Sequence, residues 1–197
     1  MNAQTDFRQA GCSGSGADIA NGEVLLKIAR AAIASRFGLI LECRDNDAFL
    51  SEPGASFITL MHNGQLRGCI GSLQAHRTLL EDVRQNAQAA AFRDPRFSPL
   101  SAAEYNQTTI EVSLLSPLSP INMQDEADAL GQIRPGVDGI VLQCGNNRGT
   151  FLPQVWDSLP EPGNFLAELK RKAGLARDFW SDDVQLFRYH VDKWTEQ

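Results

Sequence analysis

Asn63-Gly64 stands between two β-prone runs, Phe57-Ile-Thr-Leu-Met-His62 and Gln65-Leu-Arg-Gly-Cys-Ile-Gly-Ser-Leu73. Asn-Gly supplies positive φ at both centres of a type I′ turn, whose twist matches that of the strands it joins. Such a turn dictates a register. It pairs Met61 with Leu66, Thr59 with Gly68 and Phe57 with Ile70 on one face, and His62 with Gln65, Leu60 with Arg67 and Ile58 with Cys69 on the other. In a regular strand Arg67 and Cys69 then project together, beside Ile58, Leu60 and His62. Gly68 and Gly71 bracket the thiol, and a strand glycine marks a bulge or a close approach to the backbone. A guanidinium beside a thiol in a bare strand makes this hairpin the candidate site.

Other segments follow in mixed order. Leu25, Ile28, Ala29, Ala32 and Ile33 recur at helical spacing within residues 17–37, with Asn21 as N-cap and Gly38 just past the end. Thr78-Leu-Leu-Glu81 reads as a capping box opening a helix that runs to Phe92 and stops before Arg93-Asp94-Pro95-Arg96. Residues 105–115 read as a strand, with Ile110, Val112 and Leu114 on one face and Thr109, Glu111, Ser113 and Leu115 on the other. A short helix is expected over 124–131. A second hairpin joins Gly139–Cys144 to Arg148–Leu152, and a helical turn runs from Pro153 to Trp156. A helix over 164–173 ends at Gly174, and one strand closes the chain over 184–191. Helices mixed with antiparallel strands predict an α+β fold.

Composition narrows the function classes. The 197 residues are 43% hydrophobic and 21% charged, as in an ordinary globular chain. The net charge of -6 argues against nucleic acid and against anionic membrane surfaces. No apolar run approaches the roughly 20 residues that span a bilayer. Residues 1–17 are polar and Gly/Ser-rich, and read as a disordered leader without a secretory signal, preceding one domain over 18–197. Cys12, Cys43, Cys69 and Cys144 form no CxxC pair, which predicts reduced thiols in a cytoplasmic protein and no zinc site.

The chemistry-bearing residues are few. A cation beside Cys69 favours the thiolate, the form that does nucleophilic or redox work. The plain alternative is a buried small hydrophobe, the common fate of a free cysteine. Arg67, Arg93, Arg96 and Arg148 can recognise a carboxylate or phosphate through the guanidinium fork if their segments converge. Arg93 and Arg96 read rather as partners of Asp94 and solvent. Glu111, on an otherwise apolar strand, is either an acid–base group or the counter-ion of Arg67 or Arg148. The histidines have no metal-ligand spacing, and Trp156 and Trp180 read as core anchors.

Leu66-Arg-Gly-Cys-Ile-Gly71 resembles the signature hexapeptide of the AMMECR domain family, whose bacterial and archaeal members are called AmmeMemoRadiSam system protein A. The likeness continues through residues 90–97, 111–117, 139–142 and 148–156, then Lys170-Arg-Lys-Ala-Gly174 and Trp180-Ser-Asp-Asp183. It implies an antiparallel sheet flanked by helices, with a smaller α+β lobe packed beside it. It also implies co-occurrence with a Memo-type protein and a radical S-adenosylmethionine protein, and names no cofactor or reaction. The combined expectation is a cleft in which Arg67, Gly68, Gly71 and Arg148 bind an anionic small molecule or peptide. Cys69 and Glu111 would be the catalytic candidates there. The alternative is a non-catalytic adaptor that grips an anionic ligand or partner segment through the same arginines.

Overall fold

The computed structural model describes residues 16–197. Helix α1 (Gly16–Ala34) runs through Asn21, so that residue is inside the helix and not its cap. The leader read over 1–17 lies outside the described residues except for its last two, which belong to α1. A 3₁₀ turn, Ser35–Phe37, finishes the helix at Gly38, whose φ of 76° is the left-handed end expected there.

Strands β1 (Ala55–His62) and β2 (Gln65–Gly71) form the hairpin, with φ of 51° at Asn63 and 75° at Gly64 as a type I′ turn requires. Helix α2 (Leu79–Phe92) starts at Thr78, whose side chain accepts from the Glu81 N–H. Helix α3 (Ala102–Tyr105) precedes β3 (Thr108–Leu115), so the expected strand begins three residues late. Ser101 and Glu104 make the reciprocal capping box that ends the strand reading at this point.

The smaller lobe contains β4 (Ser119–Pro120), α4 (Glu126–Gln132), β5 (Gly139–Cys144), β6 (Asn147–Phe151) and α5 (Pro162–Lys172). The closing segment is two strands, β7 (Gln185–Tyr189) and β8 (Val191–Thr195). The first sheet has the order β2-β1-β3-β8 and the second β4-β7-β5-β6. His190 is therefore where the chain leaves one sheet for the other. Alternating side chains continue through that step, so the pattern alone reads as a single strand.

Two crossings join the lobes, from β3 to β4 and from β7 to β8. They run side by side: Ser116 N–H donates to His190 O at 3.0 Å, and His190 N–H donates to Ser116 Oγ at 3.0 Å.

Burial follows the alternation. Ile58, Leu60, Ile110 and Val112 face α1 and α2 in the first core, with Leu25, Ile28 and Val83. The second core centres on Trp156, stacked on Phe165 at 3.7 Å between ring centroids, with Ile140, Leu142 and Leu166. A third cluster lies where the lobes meet, with Ala55, Leu115, Val141 and Tyr189 buried and Phe57 packed against them. Burying such side chains is worth about 1.5–3 kcal/mol each, so this junction is a packed interface rather than a loose linker.

Candidate functional site

The hairpin register departs from the simple expectation. Met61 pairs with Leu66 but Leu60 pairs with Gly68, so the extra residue of a β-bulge is Arg67. Beyond it every partner moves by one, and Cys69 lies opposite Thr59 rather than Ile58. Cys69 thus shares a face with Thr59 and not with Ile58, Leu60 or His62. The cause is visible at Gly68. A Cβ there would stand 2.2 Å from the Ala90 carbonyl oxygen of α2, so only glycine allows helix and strand this close.

The bulge also separates Arg67 from the thiol. Arg67 Nε donates to Glu104 Oε1 at 2.9 Å and Nη2 to the Ser98 carbonyl at 2.9 Å. A Cβ at Gly71 would meet the Phe57 ring at 2.2 Å. At both glycines the nearest atoms are the chain's own, one of the two occupants that a bare strand allows.

The thiol's actual neighbours come from elsewhere. β2 is an edge strand, and Asp94 and Arg96 cover its open edge at Cys69. The Cys69 N–H donates to Asp94 Oδ2 at 2.9 Å, and Arg96 Nη2 donates to the Cys69 carbonyl at 3.2 Å. Arg96 and Asp94 are themselves paired at 2.7 Å. Together they stand in for an adjoining strand. Thr59 Oγ1 donates to Cys69 Sγ at 3.4 Å. The sulfur sits on a half-buried residue, held by its backbone on one side and by a hydroxyl on the other.

Across the sheet, Cys69, Thr59, Glu111 and Thr195 are successive register partners on β2, β1, β3 and β8. Both catalytic candidates therefore lie on one sheet face, two strands or roughly 10 Å apart. Glu111 meets Lys193 Nζ at 3.1 Å, so its counter-ion is neither Arg67 nor Arg148. Arg148 is exposed and sits beyond the far end of β2, beside Gln74. Four strand residues, about 13 Å, separate Arg67 from the end of β2 at Gly71, and Gln74 lies beyond that end past a bend. The structure does not gather Arg67 and Arg148 into one cleft.

Sequence reasoning missed Thr59, and it read Arg96 and Asp94 only as a local pair. Arg-Asp-Pro-Arg just past a helix end was the available signal, but nothing in it names Cys69 as the target. Also missed was the buried carboxylate of Asp82. It accepts from Ser56 N–H and Oγ at 2.7 Å, Asn86 Nδ2 at 2.8 Å, Ser72 Oγ at 2.6 Å and Arg77 Nε at 3.0 Å.

Electrostatics mark the same places. The Arg96 hydrogen bond, aided by the N–H groups of Cys69 and Arg96, holds Asp94 well below the usual carboxylate range against the opposing effect of burial. Arg67, followed by the Ser101 N–H and hydroxyl, lowers Glu104 to about 2. A depressed carboxylate stabilises the fold fully above its unfolded pKa and loses that contribution as pH falls toward the folded value. Unfolding temperature should therefore drop between about pH 4.5 and 2, and Glu104→Gln should flatten that limb. Thermal melts of both proteins across this range check it. An identical acid limb in the variant would show that Glu104 contributes nothing.

No helix among the described residues is long and apolar enough to cross a membrane. The sequence profile of the AMMECR1 family matches residues 26–194, which contain the hairpin, both sheets and the edge-covering arginine. The chain belongs to the AMMECR1 family. A Methanothermobacter thermautotrophicus relative is 37% identical over 180 residues, covering 86% of this chain and 91% of its own. A Sulfolobus acidocaldarius relative is 39% identical over 174 residues, covering 82% and 75%. Neither name states an activity. The crystal structure of an uncharacterised Pyrococcus horikoshii protein superposes with a TM-score of 0.72 at 32% identity, covering 89% of this chain and 91% of that one. The AMMECR1 fold, α+β with two four-stranded antiparallel sheets, is thereby established for this chain.

Proposed function

We propose that this AMMECR1-family chain carries a thiol-dependent activity on the open face of its first sheet. Cys69 is the nucleophile, directed at an electrophilic centre on a small molecule or a protein side chain. Thr59 gives the sulfur a hydrogen-bond donor, and Arg96 supplies a nearby cation to meet negative charge on it. Glu111, along the same cross-strand row, is the acid–base group, with Lys193 as its counter-ion. Its partners in this reading are the Memo-type and radical S-adenosylmethionine proteins implied by the hexapeptide. The observation that supports the reading is the way Cys69 is held. Its N–H, carbonyl and sulfur each have a partner, the kind of fixed geometry a catalytic group needs.

Peptide-resolved iodoacetamide labelling tests it. Cys69 should react faster than Cys43 and Cys144, by roughly tenfold, and Thr59→Val should remove most of that difference. Equal rates at the three sites, unaltered by Thr59→Val, would exclude the thiol chemistry. A Cys69→Ser protein that still captures its partners while Arg148→Glu does not would favour the adaptor.

A further inference from the structure

Two cavities open where the lobes meet, away from Cys69, which lines neither. The larger, about 660 Å³, is walled mainly by apolar side chains, among them Leu73, Leu79, Leu115 and Leu118. The smaller, about 370 Å³, is polar on one side and lined by His76, Thr150, Arg148 and Lys172. Leu73, Gln74 and Arg148 belong to both, so the cavities adjoin. Their sizes are those of small-molecule sites, which pair an apolar body with a few fixed polar groups.

The smaller cavity has cations and no carboxylate in its lining, in a chain whose net charge is -6. Glu52 lines the larger cavity but forms no ion pair with Arg148. Among the described residues no carboxylate lies within ion-pair distance of Arg148 or Lys172. Arg148 instead meets the side chain of Gln74; with the amide oriented to satisfy its hydrogen bonds, the oxygen faces both terminal guanidinium nitrogens and the nitrogen donates to His76 Nε2 at 3.1 Å. A neutral amide thus occupies the place where the guanidinium fork binds a carboxylate or phosphate most strongly. Lys172 Nζ is held nearby by the Thr150 carbonyl at 2.9 Å. Leu73 and Leu118, beside the cations, are 43% and 41% exposed, leaving apolar surface in the larger cavity open to an occupant.

We propose that the lobe junction binds a small amphiphilic anion. Its carboxylate or phosphate head lies on Arg148 and Lys172, displacing the Gln74 amide, and its apolar body lies among Leu73, Leu79 and Leu115. A free small molecule suits the paired cavities better than an acidic peptide, because an extended peptide would leave the larger, apolar chamber unused.

Calorimetric titration with decanoate, below its micellar concentration, tests this on the whole chain. Saturable one-to-one binding is expected, with acetate and decanol each at least roughly tenfold weaker, since each offers only half of the ligand. Arg148→Glu and Leu73→Asp, both at exposed positions, should each weaken decanoate by about tenfold or more. Arg148→Lys, which keeps the charge, should retain part of it, separating loss of the site from loss of the fold. Absence of decanoate binding, equal binding of decanol, or indifference to Arg148→Glu overturns the proposal. So does binding to phosphatidylglycerol vesicles or to a poly-glutamate peptide without binding of decanoate.

Discussion

Replacing Asp82 by alanine is expected to destabilise the chain by about 3–5 kcal/mol, the range seen when one partner of a buried charged network is removed. Asp82 is completely buried on α2, and its carboxylate gathers donors from both ends of the hairpin and from the segment leading into the helix. Without it, the Ser56 N–H and the Ser56 and Ser72 hydroxyls would face a void, and Arg77 Nε would lose its partner. Each buried donor left unpaired costs its own desolvation. Asp82→Asn should be nearly as harmful, although it preserves shape, because its amide nitrogen would face donors where an oxygen now accepts. Urea unfolding of the two variants decides the matter. If Asn were neutral and Ala mild, the network would be packing filler rather than the clamp between hairpin and helix.

Gly68→Ala carries the second large expected effect, a loss of about 2–3 kcal/mol or more. The new methyl would stand 2.2 Å from the Ala90 carbonyl oxygen, which belongs to the backbone of α2 and cannot turn aside as a side-chain tip can. Relief requires moving the helix or the strand, and either motion disturbs the bulge that sets Cys69 opposite Thr59. Gly131→Ala, with nothing within 4 Å of its new methyl, is the matched control on α4. Its place in the last turn of α4 predicts a neutral or slightly stabilising result. A tolerated Gly68→Ala, with unchanged Cys69 labelling, would mean that close helix–strand contact is dispensable.

Those two positions also show what could be read from the sequence. Local chemistry was legible: Asn63-Gly64 gave its turn, Thr78 its cap and Gly38 its left-handed stop, because each depends on neighbours a few residues away. Gly68 signalled a bulge or a close approach, but the register shift at Arg67 was not legible, because it depends on α2 pressing on β2, a contact between residues 68 and 90 that no period encodes. The same distance in sequence hid Asp94 and Arg96 from Cys69. Ser101-Ala-Ala-Glu104 was a readable capping box, overlooked because the β-prone residues after it dominated the segment. At His190 the alternation was true and still misled, since two strands in different sheets can keep one unbroken phase.

The paired crossings at Ser116 and His190 have a mechanical consequence. Lobes joined by one covalent strand can swing in any direction, whereas two strands fastened together by hydrogen bonds beside a packed apolar cluster resist that swing. Ser116 and Pro117 line the larger cavity, so the fastened seam forms part of its wall. The chamber's width is thereby tied to the packing of one lobe on the other.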